Sequence, residues 1–359
     1  MIKLKYIIAL IALSTLGIGC ISEIQLDTET GDLTTLVVDG DFTNSKSEHR
    51  LFLSRPNQYG VSKFGHVPNA KVSIHDDAGN KANYIETLSL ESIPYYQLVA
   101  NALPAVQGRS YFIEIILEDG TMYRSIPQVM PIFVPIDTVR LNPRIVPRLG
   151  NGGLVVEDRL AFVEVETPLP TSSNPIYLRW DANCVYYFPE LALPGPLPPP
   201  TKQCYVTDFF NDQFVPLIEL SNQGVSTLKY EIGNKFVDKA FEKGAYFNVI
   251  QRSVTAESFN YWKKLAKVSN PEGTVFDAPP GTLLGNISNV SNPDVGVLGF
   301  FEVSSVDTFR IKVFNNTLGA DFSVGLHCDQ FDYYRGSDQE CFDCLRLKNS
   351  TLVQPHYWR

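Results

Sequence analysis

The stretch SYFIEIILEDGTMYRSI, residues 110–126, decides the class of the fold. Tyr111, Ile113 and Ile115 fall on one side of an extended chain and Phe112, Glu114 and Ile116 on the other, a period of two. Glu118-Asp119-Gly120 breaks the run where Asp and Gly tolerate the positive φ of a tight hairpin, and alternation resumes over 121–126. Strand, turn, strand is therefore the local unit. The same alternation appears upstream at 36–39, 49–54, 70–76, 84–89 and 95–99, with turn chemistry every ~8–12 residues. This pattern predicts an immunoglobulin-like β-sandwich over residues 33–130. Asp76-Asp77-Ala78-Gly79-Asn80 reads as one of its turns, since the periodic carboxylates and terminal glutamate of a calcium loop are missing.

Pro127, Pro131 and Pro135 exclude regular helix and mark a domain boundary. Beyond it, residues 131–359 predict a second, larger antiparallel β-rich domain, with strands at 137–141, 160–167, 176–187, 246–254, 296–303 and 308–314. One amphipathic helix interrupts them: Thr255 caps it, and Phe259, Trp262 and Leu265 or Ala266 share a face that packs on a sheet. Between Cys184 and Cys204 the chain reads LALPGPLPPP at 191–200, so a stiff, protruding proline-rich loop is expected over 185–203. Phe276-Asp277-Ala278-Pro279-Pro280-Gly281 reads as a rigid corner after the helix.

The N-terminus reads as an address. Lys3 and Lys5 precede an apolar run over 6–18 that is shorter than the roughly 20 residues of a membrane-spanning helix. Gly17, Gly19 and Cys20 close it, which predicts a signal peptide over 1–19 and a lipidated Cys20 at the mature N-terminus. Residues 20–32 then form a flexible tether, and Ile21 in place of an acidic residue directs the chain to the outer membrane. With 30 Lys and Arg against 39 Asp and Glu, the net charge of -9 argues against nucleic acid as a partner, and acyl chains rather than a basic face must hold the protein to lipid.

Setting Cys20 aside leaves Cys184, Cys204, Cys328, Cys341 and Cys344, and an exported chain should oxidise those that geometry allows. Cys184 with Cys204 is the first expected pair, and Cys328 with either Cys341 or Cys344 the second. Cys328, Cys341, Cys344 and His356 could also be written as a zinc set, a reading disfavoured because oxidation competes with thiolate ligation. G-x-S-x-G, H-E-x-x-H, P-loop and dinucleotide motifs are missing, so no catalytic residues and no cofactor are expected. A carboxylate pair of the glycosidase kind would leave no such spacing signature, which keeps a hydrolase as the remotest alternative.

Several stretches resemble one family: LVVDG at 36–40, VPNAKV at 67–72, PIDTV at 135–139, GTVFDAPP at 273–280, Gly285-Asn286-Ile287, VLGFF at 297–301, and the terminal Cys341-x-x-Cys344 and Tyr357-Trp358. They resemble the domain of unknown function 4249 family, lipoproteins of the Bacteroidota envelope. Gly17, the long proline-rich loop and Phe300 depart from the family's usual pattern. The resemblance implies an outer-membrane lipoprotein encoded beside a TonB-dependent receptor. It implies a non-enzymatic accessory or ligand-binding role in nutrient or metal-chelate uptake; separately, the aromatic content of 12% offers stacking platforms, which leaves a small molecule, glycan or peptide as ligand. The alternative is a structural or adhesin-like surface module that uses the proline-rich loop.

Overall fold

Alternation along the strands becomes alternation between the faces of three sheets in the computed structural model, which describes residues 34–56, 65–89, 93–150, 152–209, 215–221, 226–269 and 283–359. The expected signal peptide, Cys20, the tether and the corner at 276–281 lie outside the described residues. The fold is mainly β. An 11-stranded sheet runs in the order Ser350–Thr351, Gln203–Phe209, Ile176–Pro189, Ala245–Val254, Leu298–Val313, Val37–Thr43, His49–Arg55, Pro94–Leu98 and Ile85–Leu88, with two short strands off this path. A six-stranded sheet carries Ser110–Ile116 and Met122–Ser125, joined through the expected turn with Gly120 at φ +86°. A three-stranded sheet is built from Thr138–Leu149, Val155–Pro168 and Thr227–Phe236.

Two apolar clusters hold these sheets together. Val38, Phe42, Leu51 and Leu98 of the large sheet pack with Ile74, Tyr111, Ile113 and Ile115 of the six-stranded sheet. Trp180, Cys184, Phe247 and Val249, further along the large sheet, pack with Val139, Val163, Val165 and Ile232 of the three-stranded sheet. The clusters change over between Met130 and Val134. The first cluster nevertheless contains Ile287, Val297, Phe301 and Val303, so the chain returns to it from well past residue 131.

That return is made by one long strand. Leu298–Val313 pairs in parallel with Val37–Thr43, from Val37↔Leu298 to Thr43↔Ser304, and then antiparallel with Ala245–Val254 from Ser253↔Ser305 to Ala245↔Val313. The two strands expected at 296–303 and 308–314 are thus one, and it ties both cores into a single sheet. Gly285, Asn286 and Gly299 make the crossing close. A Cβ on Gly299, whose φ is +87°, would stand 1.9 Å from the Val38 carbonyl oxygen, and one on Gly285 would stand 1.5 Å from that of Gly299. The Asn286 side chain behaves as a strand partner: its Nδ2 donates to the Phe301 carbonyl at 2.8 Å and its Oδ1 accepts from the Phe301 N–H at 2.9 Å.

The helix spans Ala256–Ser269. Thr255 caps it, with Oγ1 accepting from the Ser258 N–H at 3.2 Å, and Phe259 is buried at its base. Asp76 serves its turn, accepting from the N–H groups of Ala78 and Asn80 at 3.0 and 2.8 Å, and pairs with Arg109 at 3.0 Å. No described helix is long and apolar enough to cross a membrane.

The disulfides correct the first expected pairing. Cys204 bonds Cys344, not Cys184, while Cys328 bonds Cys341, one of its two expected partners. Cys204 faces Phe188 across the ladder and Cys184 faces Asp208, so Cys184 lies four residues along the strand from the position opposite Cys204, about 13 Å. A disulfide needs Cα atoms about 4.4–6.8 Å apart. Cys184 remains a free, buried thiol. The base of the proline-rich loop is instead stapled to the C-terminal segment, where the Glu190 carboxylate accepts from the N–H groups of Lys202 and Cys344 at 2.8 and 2.9 Å.

Candidate functional site: a charged cleft beneath the helix

The face of the large sheet opposite its second core is polar for a reason visible in the strands. On Ile176–Pro189, Trp180, Ala182 and Cys184 point into the core, which leaves Arg179, Asp181 and Asn183 on the other side. On Ala245–Val254, Phe247 and Val249 point inward and leave Asn248, Ile250 and Arg252. On Leu298–Val313, Phe301 and Val303 point inward and leave Phe300 and Glu302. Adjacent strands therefore set Arg179, Asp181, Arg252, Glu302 and Asp41 side by side.

The helix covers this charge cluster and leaves a cleft of ≈ 760 Å³ between them. Its floor is the cluster, joined by Asp39 at the mouth. Its walls are Val37, Phe52 and Leu298 on the sheet side and Tyr261, Trp262 and Leu265 on the helix side. Tyr261 stacks on Phe300 with ring centroids 4.7 Å apart, which seals one end.

Glu302 organises the floor and is only 4% exposed. Its carboxylate accepts from Ser258 Oγ and Trp262 Nε1, each at 2.7 Å, and faces Arg179 at 3.4 Å and Arg252 at 3.5 Å. Burial alone would push its carboxyl up, but the two guanidinium charges and the two hydrogen bonds overcome that and hold it at about 2. Asp181 accepts from Arg179 at 2.8 Å and from Arg252 at 2.9 Å, while Asp41 accepts from Arg252 at 2.7 Å. Arg179 lies over the Trp262 ring at 4.1 Å, and its buried Nε has no hydrogen-bond partner.

Asp39 differs from the other carboxylates. Among the described residues nothing donates a hydrogen bond to it. Desolvation by the cleft walls, then the neighbouring Asp41 carboxylate, push its carboxyl above the usual aspartate range against the pull of Arg179 and Arg252. The cleft thus offers apolar walls, an ion-paired floor with one negative charge in excess and one open acceptor. Asp41, Asp181 and Glu302 are all held in ion pairs.

The residues singled out from sequence lie elsewhere. Cys328, Cys341 and Cys344 are consumed by disulfides, so the zinc set has no thiolate left, and His356 is exposed against Tyr357. His327 approaches Asp338 and Glu340, but Glu340 already pairs with Lys239 at 2.8 Å. Sequence reasoning placed Trp262 and Leu265 on a packed helix face, and they also form the cleft wall. It missed Arg179, Asp181, Arg252 and Glu302 as a group. The signal was present in the polar alternation at 179, 181 and 183, but which strands stand together is a long-range fact.

The model of the family described as domain of unknown function (DUF4249) matches residues 21–310. No curated protein matched the sequence. Among solved structures, the chain is similar to a biofilm associated protein, BSP domain, at 5% identity and a TM-score of 0.17, over 83% of this chain and 61% of that one. The B domain of a biofilm associated protein gives 5% identity and a TM-score of 0.15, over 83% and 88%. The chain thus spans less than two thirds of the length of the first of these, and at such TM-scores neither likeness carries an argument.

Proposed function

The chain belongs to the DUF4249 family, and from that premise we propose that it is a non-enzymatic, lipid-anchored component of the outer membrane that binds a ligand for a TonB-dependent receptor. The observation that carries the reading is the cleft of ≈ 760 Å³, whose size and apolar walls suit a small-molecule site. Its charges are arranged for recognition. Three carboxylates pair with two arginines on the floor, which leaves one negative charge in excess, and Asp39 is left to orient a ligand bearing a cation or a hydrogen-bond donor. The two disulfides accord with an oxidising compartment, and the signal-like segment ending at Cys20 accords with an anchor.

Co-purification tests the partner. The full chain, extracted from outer membranes in mild detergent, should bring down a β-barrel receptor in stoichiometric amount. A protein that emerges alone, and that binds no small molecule, removes the reading and moves weight to the surface-module alternative.

A further inference from the structure

A second depression, ≈ 440 Å³, lies on the same sheet face and shares Asp41 and Arg252 with the cleft. Its size is within the ~300–1,000 Å³ of ligand pockets. Its chemistry is different. Where the cleft has apolar walls, this depression is lined by side-chain amides and hydroxyls, among them Asn183, Asn248, Thr43, Thr207 and Thr308, with the ring of Tyr357 at one side.

Its charges balance. Asp41 is paired with Arg252 at 2.7 Å, Glu48 accepts from Arg50 at 2.8 Å, and Arg310 lies over the Tyr357 ring at 4.7 Å. His49 is buried, which lowers its pKa below the ordinary histidine value and keeps it neutral at pH 7. Neither an anion nor a cation is favoured there, and the donor and acceptor set fits a neutral, hydroxyl-rich ligand.

Asn248 supplies the second observation. It is 6% exposed, and its Nδ2 donates to Asn183 Oδ1 at 2.8 Å and to Tyr357 OH at 3.2 Å, while its buried Oδ1 has no partner. Turning the amide over does not remove the orphan. The oxygen would then meet Asn183 and Tyr357, and the NH2 would take the empty position. Whichever way it stands, one polar end of a buried amide lacks a protein partner. Beside it runs a continuous aromatic ridge: Tyr357 contacts Tyr246 at 5.4 Å, Tyr246 contacts Trp358 at 5.1 Å, and Trp358 contacts Tyr205 at 5.1 Å.

We propose that this depression is a carbohydrate subsite, in which Asn183 binds sugar hydroxyls, Asn248 positions Asn183 and Tyr357 through its two hydrogen bonds, and the Tyr357 and Trp358 ridge packs against the apolar face of a sugar ring. The proposal extends the ligand-binding reading to a neighbouring site and does not depend on the receptor partner.

The test is isothermal titration of the full chain, in a detergent without sugar groups, with maltohexaose, cellohexaose, xylohexaose and mannohexaose. At least one should give saturable binding. Tyr357→Ala and Asn248→Ala should each weaken it about tenfold or more, the worth of about one good hydrogen bond or ring contact. Since Asn248 is buried, its variant counts only if its melting temperature stays near wild type. Tyr357→Phe, which removes only the hydroxyl, covers the case in which it does not, with a smaller but measurable loss. Leu197→Ser, on the exposed proline-rich loop, should bind as wild type does. Failure of all four oligosaccharides to bind, or full affinity in both Tyr357→Ala and Asn248→Ala, overturns the proposal and leaves the co-purification result standing on its own.

Discussion

Replacing Glu302 by Gln keeps the shape of the side chain and removes its charge from the floor of the cleft. Arg179 and Arg252 then lose a buried counter-ion: Ser258 and Trp262 both donate to Oε2, so an amide oxygen placed there keeps both donors, and the NH2 group then faces the two guanidinium groups. Breaking a buried pair by removing one partner costs about 3–5 kcal/mol. Both arginines keep Asp181 and Arg252 also keeps Asp41, so the lower end applies, about 3 kcal/mol. Proton linkage gives the same size independently. The carboxyl sits at about 2 in the folded protein against an ordinary 4.5, and that difference is worth about 3 kcal/mol. The sign follows from proton binding: the folded protein holds this proton less tightly than the unfolded chain. The stabilisation is complete above the unfolded value near 4.5 and is lost as pH falls towards about 2. With an unfolding entropy of about 2.1 cal/mol/K per residue, Glu302→Gln should lower the melting temperature at pH 7 by about 4 °C. It should also flatten the acid limb of stability between about pH 5 and pH 2. Calorimetry of both proteins across that range measures both effects. A variant that melts within about 1 °C of wild type and keeps the same acid limb would refute the claim that Glu302 neutralises the two arginines.

The two disulfides should differ in worth. The Cys204–Cys344 bond spans 140 residues and the Cys328–Cys341 bond 13, so chain entropy assigns them about 5 and about 3 kcal/mol; urea unfolding of Cys344→Ser and Cys328→Ser gives the order. Cys184, whose thiol is pushed up by burial, should resist iodoacetamide in the native protein and react only after unfolding. Gly299→Ala should cost more than about 2 kcal/mol, because the positive φ and the Val38 carbonyl both oppose a Cβ; thermal melts followed by circular dichroism check it, and an unchanged melt would mean that the crossing is looser than described.

Local chemistry carried most of what was legible in the sequence. The strand at Ser110–Ile116, the turn at Gly120, the Asp76 turn and the helix capped by Thr255 each follow from patterns within a dozen or so residues. What escaped was pairing at a distance. Nothing local says that Val37–Thr43 lies parallel to Leu298–Val313, and without that register Glu302 reads as an ordinary strand residue. Gln203–Phe209 and Thr227–Phe236 were missed as strands. Both lie next to segments whose Pro, Gly and polar content reads as loop. The Cys184 pairing failed for a related reason. Nearness in sequence suggested it, and the ladder register that forbids it is visible only once Phe188 is seen opposite Cys204. The motifs at 285–287 and 297–301 were recognisable as family features, and the structure supplies their physics: two glycines with no room for a Cβ and an asparagine acting as a strand partner.

The central claim, that the cleft binds a small molecule, is tested most directly by native mass spectrometry of the full chain taken from its native cells, wild type beside Leu265→Trp. Leu265 lines the cleft on the helix side, and the larger ring removes space there while leaving the charged residues of the floor unsubstituted. Wild type should carry an added mass that the filled variant lacks, with both folded. The same added mass in both proteins, or none in either, would contradict the account.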